Sequence, residues 1–106
     1  EEKKIFNLKS EDNKLSIIQV NVEMVYFKKP KGIRDVEEKL IFHEGKIKQI
    51  VGTYFQSMTL EEAKKPETKD KVAEELKQRI NEELLSSEKK KENIIYEVVF
   101  DEWFYQ

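Results

Sequence analysis

Between Pro66 and Ser87 the apolar residues Val72, Ala73, Leu76, Ile80, Leu84 and Leu85 recur at helical spacing, and most of the other positions are charged. A helix with one apolar stripe has to bury that stripe against another element. The rest of the chain offers mainly strands for the purpose. From Leu15 to Phe27, Ile18, Val20, Val22, Met24 and Tyr26 alternate with Gln19, Asn21, Glu23 and Val25. That alternation presents one apolar face and one mostly polar face. From Ile94 to Tyr105 the chain is rich in β-branched and aromatic residues, the composition of a strand. The helical stripe and these strand faces are the large apolar surfaces available to bury one another.

The remaining elements fill in around this constraint. Ile5 to Leu8 reads as a short strand, and Ser10, Glu11, Asp12 and Asn13 form a turn cluster that makes a hairpin with Leu15–Phe27. Lys28-Lys29-Pro30-Lys31-Gly32 ends the second strand. Asp35, with Glu38 three positions on, has capping-box spacing and opens a helix. Val36, Leu40, His43, Ile47, Ile50, Val51 and Tyr54 continue it, with a break expected near Glu44 and Gly45. A second capping box, Thr59 to Glu62, opens a short helix that Pro66 ends or restarts. Strict alternation over the last segment puts Ile94, Tyr96, Val98, Phe100 and Phe104 on the core side. It puts Ile95, Glu97, Val99, Asp101, Trp103 and Tyr105 on a mixed face. The expected order is β-β-α-α-α-β, an α+β fold with two N-terminal strands and a C-terminal strand packed with about three helices.

Composition narrows the function. Charged residues make up 40% of the chain against ~25% in an ordinary domain, yet the net charge is only -2. That near balance argues against nucleic acid as a partner, which calls for a broad basic face. The cluster Lys28, Lys29, Lys31 and Arg34 reads as a solvated turn. The chain has no cysteine, so it has no disulfide, no thiol nucleophile and no cysteine-based zinc site. Its glycines, Gly32, Gly45 and Gly52, are too dispersed for a phosphate-binding loop, and His43 is the sole histidine. Asp101 and Glu102 are neighbours on a strand and point to opposite faces, so they do not form a catalytic carboxylate pair. The expectation is a protein that is not an enzyme and carries no cofactor or metal. A small hydrolase or lyase built on carboxylates is the rival from another class, and a concave pocket with convergent acidic groups would be its signature.

The stretch Ser57-Met-Thr-Leu-Glu-Glu-Ala-Lys-Lys-Pro66-Glu-Thr-Lys69, followed by Glu74-Glu-Leu-Lys-Gln-Arg-Ile80-Asn81-Glu-Glu-Leu84, resembles the flagellar basal body-associated FliL family. The ending Val98-Val-Phe100-Asp-Glu102-Trp-Phe-Tyr-Gln106 is similar to that family's closing strand, and Phe6-Asn7-Leu8 to its opening one. Thr68, Ala63 and Lys65 depart from the family pattern, in which a Gly, a Leu and a capping Ser or Thr are usual. The resemblance implies one periplasmic domain over residues 1–106, stomatin-like (SPFH-like) in fold. It would be anchored in the inner membrane at the flagellar basal body by a single N-terminal helix upstream of Glu1. It further implies a non-enzymatic motor protein that self-associates as a ring around the stator proteins MotA and MotB and supports stator assembly or torque. A stomatin-like scaffold unrelated to motility is the alternative. Glu97, Asp101, Trp103 and Tyr105 form the expected partner-binding set, because an aromatic anchor beside charges supplies both desolvation energy and orientation.

Overall fold

Three antiparallel strands form the sheet of the computed structural model, which describes residues 3–10, 14–27, 35–86, 88 and 92–106. Strand β1 (Lys3–Asn7) pairs with β2 (Ile17–Tyr26), and β2 pairs with β3 (Ile95–Tyr105), in the order β1-β2-β3. The hairpin expected between the first two strands is present; its turn residues Glu11, Asp12 and Asn13 lie outside the described residues, as do Lys28, Lys29, Lys31 and Arg34. Between β2 and β3 come α1 (Val36–Phe42), α2 (Glu44–Gln56), α3 (Leu60–Lys64) and α4 (Thr68–Leu84). The fold is α+β, with four helices among the described residues where three were expected.

The extra helix comes from a break at His43, one residue ahead of the expected position. His43 closes α1 and precedes α2, with its backbone at φ -95°, ψ 7°. Its imidazole Nδ1 lies 3.0 Å from a Glu83 carboxylate oxygen on α4, and Lys39 pairs with Glu88 at 2.9 Å. These two contacts tie the α1–α2 junction to the end of α4. Both predicted cap positions are occupied. Asp35 accepts from the Glu38 N–H at 3.0 Å, and Thr59 and Glu62 bond each other reciprocally in a complete capping box.

The helices cover one face of the sheet. Val72, Leu76, Ile80 and Leu84 of α4 are buried against Ile18 and Val20 of β2 and Ile95, Val98 and Phe100 of β3 in one core, with Val22 half-buried at its margin. From α2, Ile47, Val51 and Phe55 join the same core, and the Phe55 ring stacks on Phe6 of β1 with centroids 5.2 Å apart. The end of β1 is held from two sides: Leu8 N–H donates to the Ser16 carbonyl at 2.9 Å and Lys9 N–H to the Met58 carbonyl at 2.7 Å.

One buried polar residue sits within this apolar layer. Asn81 on α4 is 3% exposed. Its Oδ1 accepts from the N–H groups of Ile94 (3.0 Å) and Ile95 (2.8 Å), and its Nδ2 donates to the Ile95 carbonyl at 2.8 Å. One side chain thus satisfies three backbone groups at the start of β3.

Two stability effects follow. Replacing Leu76 or Ile80 by Ala costs ~2 to 5 kcal/mol, the range for a fully buried aliphatic residue, measured by chemical denaturation. Asn81→Ala costs about 3 kcal/mol despite deleting only a small amide, because it strands two buried N–H donors and a carbonyl. Asn81→Leu brings no recovery, since a better-packed side chain still leaves those groups without partners.

Candidate interaction surfaces

The geometry of β3 decides which residues any partner can reach. Opposite β2, Tyr105 pairs with Ile18, Trp103 with Val20 and Glu102 with Asn21, but the next partner, Val22, faces Phe100. Asp101 is therefore an extra residue. A second shift leaves Tyr96 unpaired between Glu97, which faces Val25, and Ile95, which faces Tyr26. Each inserted residue reverses the alternation beyond it. The inward side consequently reads Ile95, Val98, Phe100, Trp103 and Tyr105. Tyr96 and Phe104, expected in the core, are exposed instead, with Tyr96 packed on Phe27 at 4.6 Å between centroids.

The four expected partner-binding residues accordingly separate. Trp103 lies half-buried against Phe55 (5.8 Å) and Phe100 (5.2 Å), and its indole Nε1–H donates to the Ala63 carbonyl at 3.1 Å. Tyr105 is half-buried against the same core. Glu97 is exposed on the side of the sheet opposite the helices, and Asp101 is exposed at its bulge. Trp103 and Tyr105 come together under the helices, while Glu97 and Asp101 remain on the surface of the same strand.

The face of the sheet away from the helices carries Ile5, Gln19, Asn21, Glu23 and Val25, and from β3 Glu97, Val99, Glu102 and Phe104. Gln19 donates to the Glu102 carboxylate across the strands. Ile5 and Phe104 are exposed there. Acidic and apolar side chains thus share this surface.

A groove of about 650 Å³ opens on the other face, between the sheet and the first two helices. Phe6, Val22, Met24 and Tyr26 form its floor, with Leu40, Ile41, Ile47 and Val51 along the helical side and Lys4, Glu44 and Lys48 at its margin. Beside it Phe42 is almost fully exposed. Sequence reading passed over Ile41 and Phe42. The available signal was that both are large and apolar yet fall off the Val36–Leu40–His43 stripe.

A smaller pocket of about 200 Å³ lies where α2, α3 and α4 converge, lined by Tyr54, Met58, Glu62, Lys71, Glu75 and Arg79 among others. The Tyr54 hydroxyl donates to the Glu75 carboxylate, and the Arg79 guanidinium sits 4.9 Å above the Tyr54 ring. Burial, and then the adjacent Glu75 carboxylate, push the Tyr54 phenol above its ordinary ionisation range. Glu62 is engaged in capping Thr59. Among the described residues no group of three or more His, Asp or Glu side chains is placed to hold a metal ion. The raised phenol makes the fold favour neutral Tyr54. Its contribution is therefore full below the unfolded phenol's value of ~10 and is lost as pH climbs beyond it. Tyr54→Phe removes a phenol ionisation above the usual tyrosine range from an ultraviolet absorbance titration, and it flattens the alkaline loss of stability.

These surfaces belong to a chain whose Arg79-Ile80-Asn81 step and closing strand resemble one family, and comparison with known proteins bears on that resemblance directly. No curated protein matches the chain. The sequence model of the flagellar basal body-associated protein FliL matches residues 1–106, the whole chain. The chain belongs to the FliL family of flagellar basal body-associated proteins.

Proposed function

We propose that the domain is a non-enzymatic scaffold of the flagellar motor. Held on the periplasmic side of the inner membrane by one N-terminal anchor upstream of Glu1, copies assemble as a ring around stator units of MotA and MotB. There they support stator assembly or torque, and with it motility. The observation that carries this reading is the family match over residues 1–106, which associates the chain with the flagellar basal body. Among the described residues no helix is long and apolar enough to cross a membrane, so the anchor in this reading is supplied by sequence outside them. The stomatin-like likeness in fold is part of the same proposal.

The physical features that support a binding role are surface features. The helices leave one face of the sheet bare, and apolar side chains stand outside among many charges. Large apolar side chains standing outside among charges on one surface are the groups an interaction surface uses. Within the expected contact set, Glu97 and Asp101 are the members a partner touches. Trp103 and Tyr105 act beneath them by fixing the shape of the strand.

The anchored protein is expected to co-purify with MotA and MotB from detergent-solubilised membranes, and its deletion to reduce swimming through soft agar. The double reversal Glu97→Lys with Asp101→Lys leaves the circular dichroism spectrum intact and weakens that co-purification. Retention of full stator binding by the double variant would move the contact elsewhere. Loss of the protein with no change in motility or stator occupancy would leave the stomatin-like scaffold outside the motor as the better reading.

A further inference from the structure

Strand β2 runs on past the point where β1 begins. Lys3 stands opposite Asn21, and no residue of β1 accompanies the stretch from Val22 to Tyr26. The groove of about 650 Å³ lies over this stretch. Val22, Met24 and Tyr26 belong to its floor, and Leu40 and Ile41 of α1 rise beside it. Ile41 is 71% exposed, so the groove has an apolar wall that nothing described covers.

The backbone of the stretch is as open as its side chains. On the β1 side, Leu8 N–H donates to the Ser16 carbonyl. On the β3 side, Ile17 and Gln106 exchange two bonds, and Phe27 N–H donates to the Ile94 carbonyl. Successive residues of an antiparallel strand point their backbone groups to alternate neighbours. The odd-numbered residues of β2 therefore address β3, and the even-numbered ones address β1 or, beyond Asn21, the edge. At Met24 and Tyr26 these edge N–H and carbonyl groups have no backbone partner among the described residues. Such an edge is a template for one more strand.

We propose that the same chain supplies this strand: the segment immediately upstream of Glu1 continues β1 and lies in the groove along Met24–Tyr26. The inference rests on the proposed N-terminal anchor, which requires such a segment, and adds the path it takes. Position selects this occupant. Traced backwards from Asn7 to Lys3, β1 advances along β2 from Ile17 to Asn21 and leads straight to the groove. In the same register, the three positions before Glu1 come opposite Met24, Val25 and Tyr26 in turn. Partners across a ladder share a face. The first and third of these positions therefore point into the groove with Met24 and Tyr26, and apolar side chains fill them. Tethering gives this segment a high effective concentration at the edge, which a strand from another molecule lacks.

Hydrogen exchange at the Met24 and Tyr26 amides tests the placement, comparing the anchored protein in detergent with the 106-residue chain. Both amides exchange at least about tenfold more slowly in the anchored protein, as amides bonded in a ladder do. Val25, which addresses β3 in both proteins, changes little. Proline in place of the residue immediately before Glu1 breaks the added ladder and returns both amides to their rates in the 106-residue chain. Ile41→Glu leaves the circular dichroism of the 106-residue chain intact. In the anchored protein it sets a charge against the docked segment, and most of the protection at Met24 and Tyr26 is lost.

Equal exchange in the two proteins overturns the proposal, as does protection that survives both the proline and Ile41→Glu. Protection that rises with protein concentration assigns the strand to a second copy and overturns it as well. If both amides are protected but the anchored protein never accompanies MotA and MotB, the added strand stands and the motor reading falls. If the protein accompanies them with both amides unprotected, the strand is wrong and the motor reading stands.

Discussion

The amide of Asn81 is the contact on which the arrangement of the sheet depends. It lies on the buried side of α4, next to Ile80, against a core of aliphatic and aromatic side chains. A polar group there would be costly without partners. Asn81 instead finds three of them on the backbone of Ile94 and Ile95. Those bonds fix where β3 starts against α4, and Phe27 N–H adds a bond of 3.0 Å to the Ile94 carbonyl from the neighbouring strand. With one end of β3 held there and the other paired through Ile17 and Gln106, the residues in excess of the ladder have to be absorbed between them. Tyr96 and Asp101 are those residues.

From this follows the distribution of surface chemistry. The two bulges rotate Trp103 and Tyr105 towards the helices and leave Phe104 and Tyr96 outside. A sheet of three strands covered by helices on one side keeps a second face that no described helix covers. The shortness of β1, five residues against ten in β2, goes with a groove beside α1 and α2 over the far half of β2. Membership of the FliL family associates a chain with this arrangement of surfaces with the flagellar basal body.

Much of the fold is legible in the sequence because its signals are local and periodic. Val72, Leu76, Ile80 and Leu84 repeat every fourth residue, β2 alternates cleanly from Ile18 to Val22, and Thr59 with Glu62 spells out its own cap. The faces of β3 are not legible in the same way. Alternation can be read only within an unbroken ladder, and a bulge is set by the partner strand and the anchored end, neither of which is adjacent in sequence. The helix break shows a related difficulty. Gly45 drew attention for its low helical propensity, yet it lies within α2 and the break falls at His43, where contacts to α4 bind the junction. Of the expected contact residues, Glu97 and Asp101 were readable as exposed, whereas Trp103 could not be assigned a side without knowing that Asp101 is supernumerary. Asn81 stood out only through its place in the Arg-Ile-Asn step of the family resemblance.

The dependence of β3 on α4 also orders the folding of the chain in time. Strands β1 and β2 are neighbours in sequence and can pair early, but their inward face has no cover until the helices arrive. The strand that closes the core beside β2 is the last of the three, separated from it by the whole helical block. Bringing those two together closes a long loop, an entropic cost that has to be met before most of the core contacts exist. Formation of the core is thus deferred until the last of the three strands is available, and a nascent chain lacking Ile95–Tyr105 holds α4 with its stripe uncovered and its Asn81 amide without partners. The domain therefore matures as one cooperative step once Ile95–Tyr105 is available, and its fully assembled surfaces appear all at once.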